Sequence, residues 1–280
     1  MELLIATNGF KGTWPAIEYG AWLGGTLHLK VNLLGVTETL NPAQIDDHHP
    51  LEDVFSRAVE VFERNELTYS LEVQNGDAEE VIPRRVQTGD FITVIGPLGR
   101  PQIRRWLTGR SIHPLMEHIR GPILYVPESR LPLRRALICV GGLGYEVTAE
   151  NLAVRLSGLV QAHITLLHVI PPMDLDYPTV REVIKSAEHL VDSETPIGRA
   201  LRKGVEMAQA AGQTAEVKVR EGTIVEEILS EIKTGEYDLV CMGSPYSTSA
   251  LRQMYAPNVA AEVASVIHGP ILIARHKRED

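Results

Sequence analysis

Short apolar runs recur along this chain, and amphipathic stretches fill the gaps between them. Leu3-Leu4-Ile5-Ala6, Val31 to Val36, Phe91 to Ile95 and Ile123-Leu124 are apolar almost throughout and do not alternate with polar residues. Runs of that kind predict strands buried on both faces. Between them, Trp14–Gly24, Leu51–Asn65, Asp77–Gln87 and Ser111–Arg120 are expected to be helical. The second has Leu51, Val54, Phe55, Ala58, Val59 and Phe62 at three/four spacing, one face of a helix. The third opens on Asp77, Glu79 and Glu80, where the helix dipole favours carboxylates, and carries Pro83 within its first two turns.

The same series then repeats. Leu4-Ile5-Ala6-Thr7-Asn8-Gly9 aligns with Leu137-Ile138-Cys139-Val140-Gly141-Gly142, and Val31 to Val36 with Ile164 to Val169, both 133 residues on. Leu71 to Gly76 aligns with Val217 to Gly222 at 146, Asp90 to Gly96 with Tyr237 to Gly243 at 147, and Gly121 to Leu124 with Gly269 to Leu272 at 148. Five strands in one order make a tandem repeat. The jump of 13 between the second and third strands marks an insertion in the second half. Pro127 to Arg135, with two prolines and clustered charge, is the expected linker. Beyond it, helices are expected at Thr148–Ser157, Thr179–Val191, Pro196–Ala211, Ile224–Lys233 and Asn258–Ile267. Strand–helix alternation implies βα units and a mainly parallel sheet in each of two domains, 1–127 and 135–280.

Composition narrows the function classes. The chain has 280 residues, 44% hydrophobic and 22% charged, a balance that supports a sizeable core. Its net charge is −9, with no Lys/Arg-dense tract, so neither nucleic acid nor an anionic membrane surface is an expected partner. No apolar run reaches the length of a membrane helix, and the start reads as a strand without a basic leader, so the expected location is cytoplasmic. Cys139 and Cys241 lie in apolar runs and are expected to be small buried hydrophobes, not a disulfide pair.

The chemistry centres on Val94-Ile95-Gly96-Pro97-Leu98-Gly99 and, after a nine-residue gap, Gly109-Arg110-Ser111. A buried strand runs into a glycine loop and then a helix start. Glycines let backbone N–H groups approach an anion, and the helix start adds free N–H groups. The spacing alone supports equally a phosphate cradle and a loop whose glycines only shape a turn. Arg100, Arg104 and Arg105, beside Trp106, are either a basic lip over that loop or solvated side chains. In Asn8-Gly9-Phe10-Lys11-Gly12-Thr13 the order Lys-Gly-Thr is not that of a P-loop, and Lys11 is expected in solvent. His48-His49 beside Asp46-Asp47 sit in a polar loop without metal-ligand spacing. His113 and His118 are expected at the surface, and His163 and His168 as satisfied core or edge groups. No Ser/His/Asp arrangement is supported, so no catalytic residues are assigned.

With its halves aligned, the chain resembles the universal stress protein family in its tandem, two-domain form. Gly96, Gly99 and Gly109 match the family's nucleotide loop: Gly, two residues, Gly, nine residues, Gly. Arg110 stands where the family has Ser or Thr, and Ser111 follows; Arg110 either supplies a charged donor to phosphate or closes the pocket. Asn8 stands where ATP-binding members place an aspartate at the end of the first strand. The resemblance implies an α/β fold of two tandem doubly wound domains. Each is an open five-stranded, mostly parallel sheet, order 3-2-1-4-5, with helices on both faces. The domains are expected to pair through their last strands, Gly121–Val126 and Gly269–Ala274. It further implies a stress-response protein that binds an adenine nucleotide, ATP with or without Mg²⁺, in the first half. The expected contacts are Ala6, Thr7, Asn8, Val36, Ile95, Gly96, Gly99, Gly109, Arg110 and Ser111. Any ATP hydrolysis is expected to be slow, because no base for water is evident. In the second half Gly243 is kept, but Tyr246 and Ala256 replace the other loop glycines, Pro257 and Asn258 follow, and Gly141 replaces the acid. That half is expected to be structural. The alternatives are an interaction module that binds no nucleotide and, less favoured, an adenylating enzyme whose first-loop motif is missing here. Homodimerisation is left open.

Overall fold

A computed structural model describes residues 1–37, 50–98, 113–142, 147–172, 187–245 and 259–276. Two compact units emerge: Met1–Ser129 with His268–Pro270, and Arg130–Ile267 with Ile271–Asp280. In the first, the order is β1 (Glu2–Thr7), a 3-10 turn (Lys11–Thr13), α1 (Trp14–Leu27), β2 (Val31–Thr37), α2 (Pro50–Arg64) and β3 (Tyr69–Asn75). Then come α3 (Ala78–Val86), β4 (Phe91–Ile95), α4 (His113–His118) and β5 (Ile123–Tyr125). The strands lie in the order β3-β2-β1-β4-β5, and the pairings are parallel. Leu3, Leu4, Ile5 and Ala6 of the central β1 are fully buried, as a strand covered on both faces requires.

Helix α1 runs three residues past the expected end at Gly24. Gly20 and Gly24 are contact points, not stop signals. A Cβ at Gly20 would lie 2.5 Å from Ile5 Cδ1, and one at Gly24 2.9 Å from Val31 Cγ2. The helix ends instead at His28, in the left-handed region with φ 54°. Phe55 and Leu51 of α2 fill the same face above Gly35. The opposite face takes α3, whose Arg85 Nε donates to Glu72 Oε2 of β3 at 2.7 Å. Pro83 lies inside α3 and is buried, so its ring serves the core even though it lacks an N–H.

The second unit contains β6 (Arg135–Cys139), α5 (Val147–Val160), β7 (His163–Ile170), α6 (Ala187–Asp192), α7 (Pro196–Ala210) and β8 (Ala215–Glu221). It closes with α8 (Ile224–Gly235), β9 (Leu239–Pro245), α9 (Val259–Val266) and β10 (Ile271–His276). Its strands lie in the order β10-β9-β6-β7-β8, again in parallel. Helix α7 begins at Pro196, which is 146 residues after Pro50 of α2, so the inserted residues precede it. The helix expected over Thr179–Val191 is described only from Ala187 onward. Arg202 of α7 donates from Nη1 to the carbonyls of Val191 and Ser193, at 2.6 and 2.7 Å. Gly198 lets the two helices meet: a Cβ there would lie 2.3 Å from Ser193 O and 2.5 Å from Leu190 O.

On the other face, Glu231 of α8 is almost fully buried and gathers four donors. Lys218 Nζ and Tyr237 Oη donate to Oε1 at 3.0 and 2.7 Å; Arg220 Nε and Nη2 donate to Oε2 at 2.9 and 2.6 Å. Burial alone would raise the Glu231 pKa, but these hydrogen bonds from Tyr237, Lys218 and Arg220 outweigh burial and hold it below the ordinary value. The linker is fastened to this unit. Arg130 Nη1 donates to Tyr237 O at 3.0 Å, and the N–H groups of Arg134 and Arg135 donate to Asp238 Oδ2 at 2.8 and 3.0 Å. Cys241 is buried as expected, whereas Cys139 is half-buried; both remain free thiols.

Candidate functional site

The first unit brings together the carboxyl ends of β2, β1 and β4. Strand order reverses at β1, and open α/β sheets hold ligands in the crevice at such a switch point. Ala6 and Ile95 are register partners across β1 and β4, and Thr7 pairs with Gly35, one residue before Val36. Asn8 and Gly96 are the first residues past their strands, and both are buried. Six of the ten expected contacts therefore gather here: Ala6, Thr7, Asn8, Val36, Ile95 and Gly96. Gly99, Gly109, Arg110 and Ser111 lie outside the described residues, as do Arg100, Arg104, Arg105 and Trp106.

The loop after β1 is held by a hydroxyl chain. Thr13 Oγ1 donates to Phe10 O at 2.8 Å and so accepts from Thr7 Oγ1 at 2.6 Å, which in turn accepts the Gly9 N–H at 3.1 Å. This direction follows from one proton per hydroxyl. Gly9, at φ 83°, makes the turn that lets the loop fold back. Asn8 Oδ1 accepts a long 3.5 Å bond from the Phe10 N–H. Lys11 is exposed, as expected.

The loops after β1 and β4 touch backbone to backbone. A Cβ at Gly96 would lie 3.0 Å from both Gly12 O and Thr13 Cα, and one at Gly12 would lie 3.1 Å from Pro97 O. Packing therefore accounts for glycine at position 96. Gly12 and Thr13 are the site residues that sequence reasoning missed. Their signal was a glycine and a hydroxyl placed just before a helix, set aside because their order did not fit a P-loop. At the rim, the Arg57 guanidinium stacks on Trp14 at 4.0 Å, and Trp14 Nε1 donates to Glu18 Oε1 at 2.6 Å. The described residues at these strand ends carry no carboxylate. Among the described residues, no three His, Cys, Asp or Glu side chains group to hold a metal ion. The described strand ends offer neutral groups: amides, hydroxyls and backbone.

The second unit keeps the turn. Gly142 has φ 71°, matching Gly9, yet Ile197 of α7 sits against it, 2.2 Å from where a Cβ would be. A Cβ at Gly141 would meet nothing within 4 Å. His168 Nδ1 is 2.8 Å from Val140 O, a satisfied group at the strand end. Tyr246, Ala256, Pro257 and Asn258 lie outside the described residues.

The model of the universal stress protein family matches residues 132–275. The chain belongs to the universal stress protein family. Among curated relatives, the universal stress protein YxiE of Bacillus subtilis (strain 168) is 25% identical over 146 residues, which is 50% of this chain and 98% of that one. A universal stress protein from Archaeoglobus fulgidus DSM 4304 shares the fold along the whole chain, with a TM-score of 0.71 at 15% identity. The alignment covers 99% of this chain and 98% of that one. A solved universal stress protein in complex with cAMP aligns with 52% of this chain and 99% of its own, at TM-score 0.40 and 19% identity. The α/β fold thus agrees along the chain with that of the Archaeoglobus fulgidus protein. No helix among the described residues is long and apolar enough to cross a membrane.

Proposed function

We propose that the first unit binds one adenine nucleotide, ATP, in the crevice between the loops after β1 and β4, and that the second unit is structural. The observation that carries this reading is the approach of those two loops at the switch point, where Gly96 opens the Gly96/Gly99/Gly109 spacing. Asn8 presents an amide in place of a carboxylate, so the base or ribose is held without a charge-assisted bond. Arg110 supplies the charged contact to phosphate. Mg²⁺, where it accompanies ATP, rests on the phosphates, since the described strand ends carry no carboxylate. In the second unit, Tyr246 and Ala256 stand in place of the second and third loop glycines. The protein works as a stress-response protein in the cytoplasm, with at most slow ATP hydrolysis.

Calorimetric titration with ATP and Mg²⁺ tests this, run beside Gly99→Tyr, which copies Tyr246 of the second half. Binding of about one nucleotide per chain, lost in the variant, is the expected result. A native protein that gives no heat favours the second reading, an interaction module without nucleotide. That reading has its own support: Gly12 and Thr13 already account for the glycine at 96, and the Thr7 and Thr13 hydroxyls are spent on each other.

A further inference from the structure

The two units end their sheets in different ways. Strand β3 is terminal in the first unit and pairs with β2. Leu71 and Val73 on it are 44% and 56% exposed. Val73 is the register partner of Gly35, so both residues stand on the face that α2 covers one strand further in. Strand β8 is the counterpart in the second unit. There Val217 and Val219 occupy the positions of Leu71 and Val73 and are half-buried. The added helix α6 lies against β8 beside α7 and supplies the cover. Natural edges are commonly blunted by cover, by lysine or by proline. β8 has α6 and Lys218; β3, Tyr69-Ser70-Leu71-Glu72-Val73-Gln74-Asn75, has no lysine or proline.

We propose that β3 is an association edge, at which two copies of this chain pair their β3 strands antiparallel about a two-fold axis at Glu72. The strand is self-complementary in that register. Leu71 meets the second copy's Val73, Val73 meets its Leu71, Ser70 meets Gln74, and Tyr69 meets Asn75. Cross-strand apolar pairs of this kind are what stabilise antiparallel ladders. The order of the residues selects a second copy as the occupant, since in that register apolar meets apolar and polar meets polar. Two glutamates meet on the axis, but each is already bound by its own Arg85 at 2.7 Å. Each copy thus brings one carboxylate and one guanidinium to the axis, so neither glutamate arrives with its charge unpaired. A two-fold contact of this kind closes on itself and uses up the β3 edge of both copies. The proposal does not depend on nucleotide, and its test is run without any.

Sedimentation equilibrium of the full chain reads the association directly. The native protein is expected to dimerise with concentration. Val73→Lys is expected to weaken dimerisation by more than about tenfold while leaving the circular dichroism spectrum and melting temperature of the dilute protein unchanged, since Val73 faces solvent. Register is read by mixing Leu71→Cys and Val73→Cys proteins: mild oxidation should link one to the other faster than either to itself. The native thiols give little background, since Cys241 is buried and burial pushes the Cys139 pKa up to about 12. A native protein monomeric up to about 1 mM overturns the proposal and leaves the row to some other partner. A dimer that survives Val73→Lys, or one whose like cysteines cross-link faster, overturns it as well.

Discussion

The strand–helix clamps beside the two sheet edges use the same type of bond with the charges exchanged. In the first unit the strand carries the carboxylate, Glu72, and the helix the guanidinium, Arg85. In the second, 146 residues further on in each case, the strand carries Lys218 and the helix Glu231. The fold thus needs a matched pair there and accepts either sign. Burial separates the two. The Glu231 side chain is 4% exposed and that of Glu72 38%. Water cannot replace a buried carboxylate as the acceptor of its donors, whereas it can replace an exposed one. Equal geometry therefore conceals unequal dependence.

Removing the carboxylates tests that inequality most severely. Glu231→Ala leaves Lys218, Arg220 and Tyr237 without their shared acceptor and is expected to cost about 3–5 kcal/mol in urea unfolding. The pH dependence should follow. Folding holds the Glu231 carboxyl below its ordinary 4.5. Its stabilisation is therefore present above that value and lost as pH falls through the depressed folded value. The stability gap between the native protein and Glu231→Gln should narrow as pH is lowered from about 6 to about 3.

A smaller effect is expected where one half has the helix α6, which has no counterpart among the described residues of the other. Gly198→Ala forces a Cβ onto the carbonyls of Ser193 and Leu190 and should cost about 1–3 kcal/mol. The counterpart 146 residues earlier is the exposed Glu52, and Glu52→Ala should change stability by no more than about 0.5 kcal/mol. Equal costs at the two positions would mean that α6 adds nothing to the packing of α7. The smallest effect belongs to the first clamp. Glu72→Ala should cost no more than about 1 kcal/mol in dilute solution, because Arg85 keeps a hydrogen bond to Thr88 and a ring contact with Phe91. A loss as large as that of Glu231→Ala would refute the burial argument.

Much of the fold was legible because period and repetition report burial. Continuous apolar runs placed four strands of the first unit, and the alignment of the halves supplied the others and put the insertion between the second and third strands. Close backbone approach leaves no such trace. Gly24 looked like a helix stop yet lies against Val31, and Gly96 looked like a phosphate contact yet also lies against Gly12. A missing side chain is the same letter whether a turn, a neighbour or an anion requires it. The exchange of Glu72 for Lys218 lies within the aligned strands. Which helix residue each of them bonds follows only from the strand–helix packing. The grouping of Ala6, Asn8, Ile95 and Gly96 could be read from the resemblance. The hydroxyl chain of Thr7 and Thr13 depends on how the loop folds back.

The grip of Asp238 on the linker bears on how this chain can be divided. A second half expressed from Arg135 would forfeit the Arg134 amide that Asp238 accepts and the Arg130 contact with Tyr237 O. One begun at Arg130 keeps both. The natural place to sever the two repeats for separate expression is thus upstream of the residues that look like linker. Those residues belong, by their bonds, to the repeat they precede.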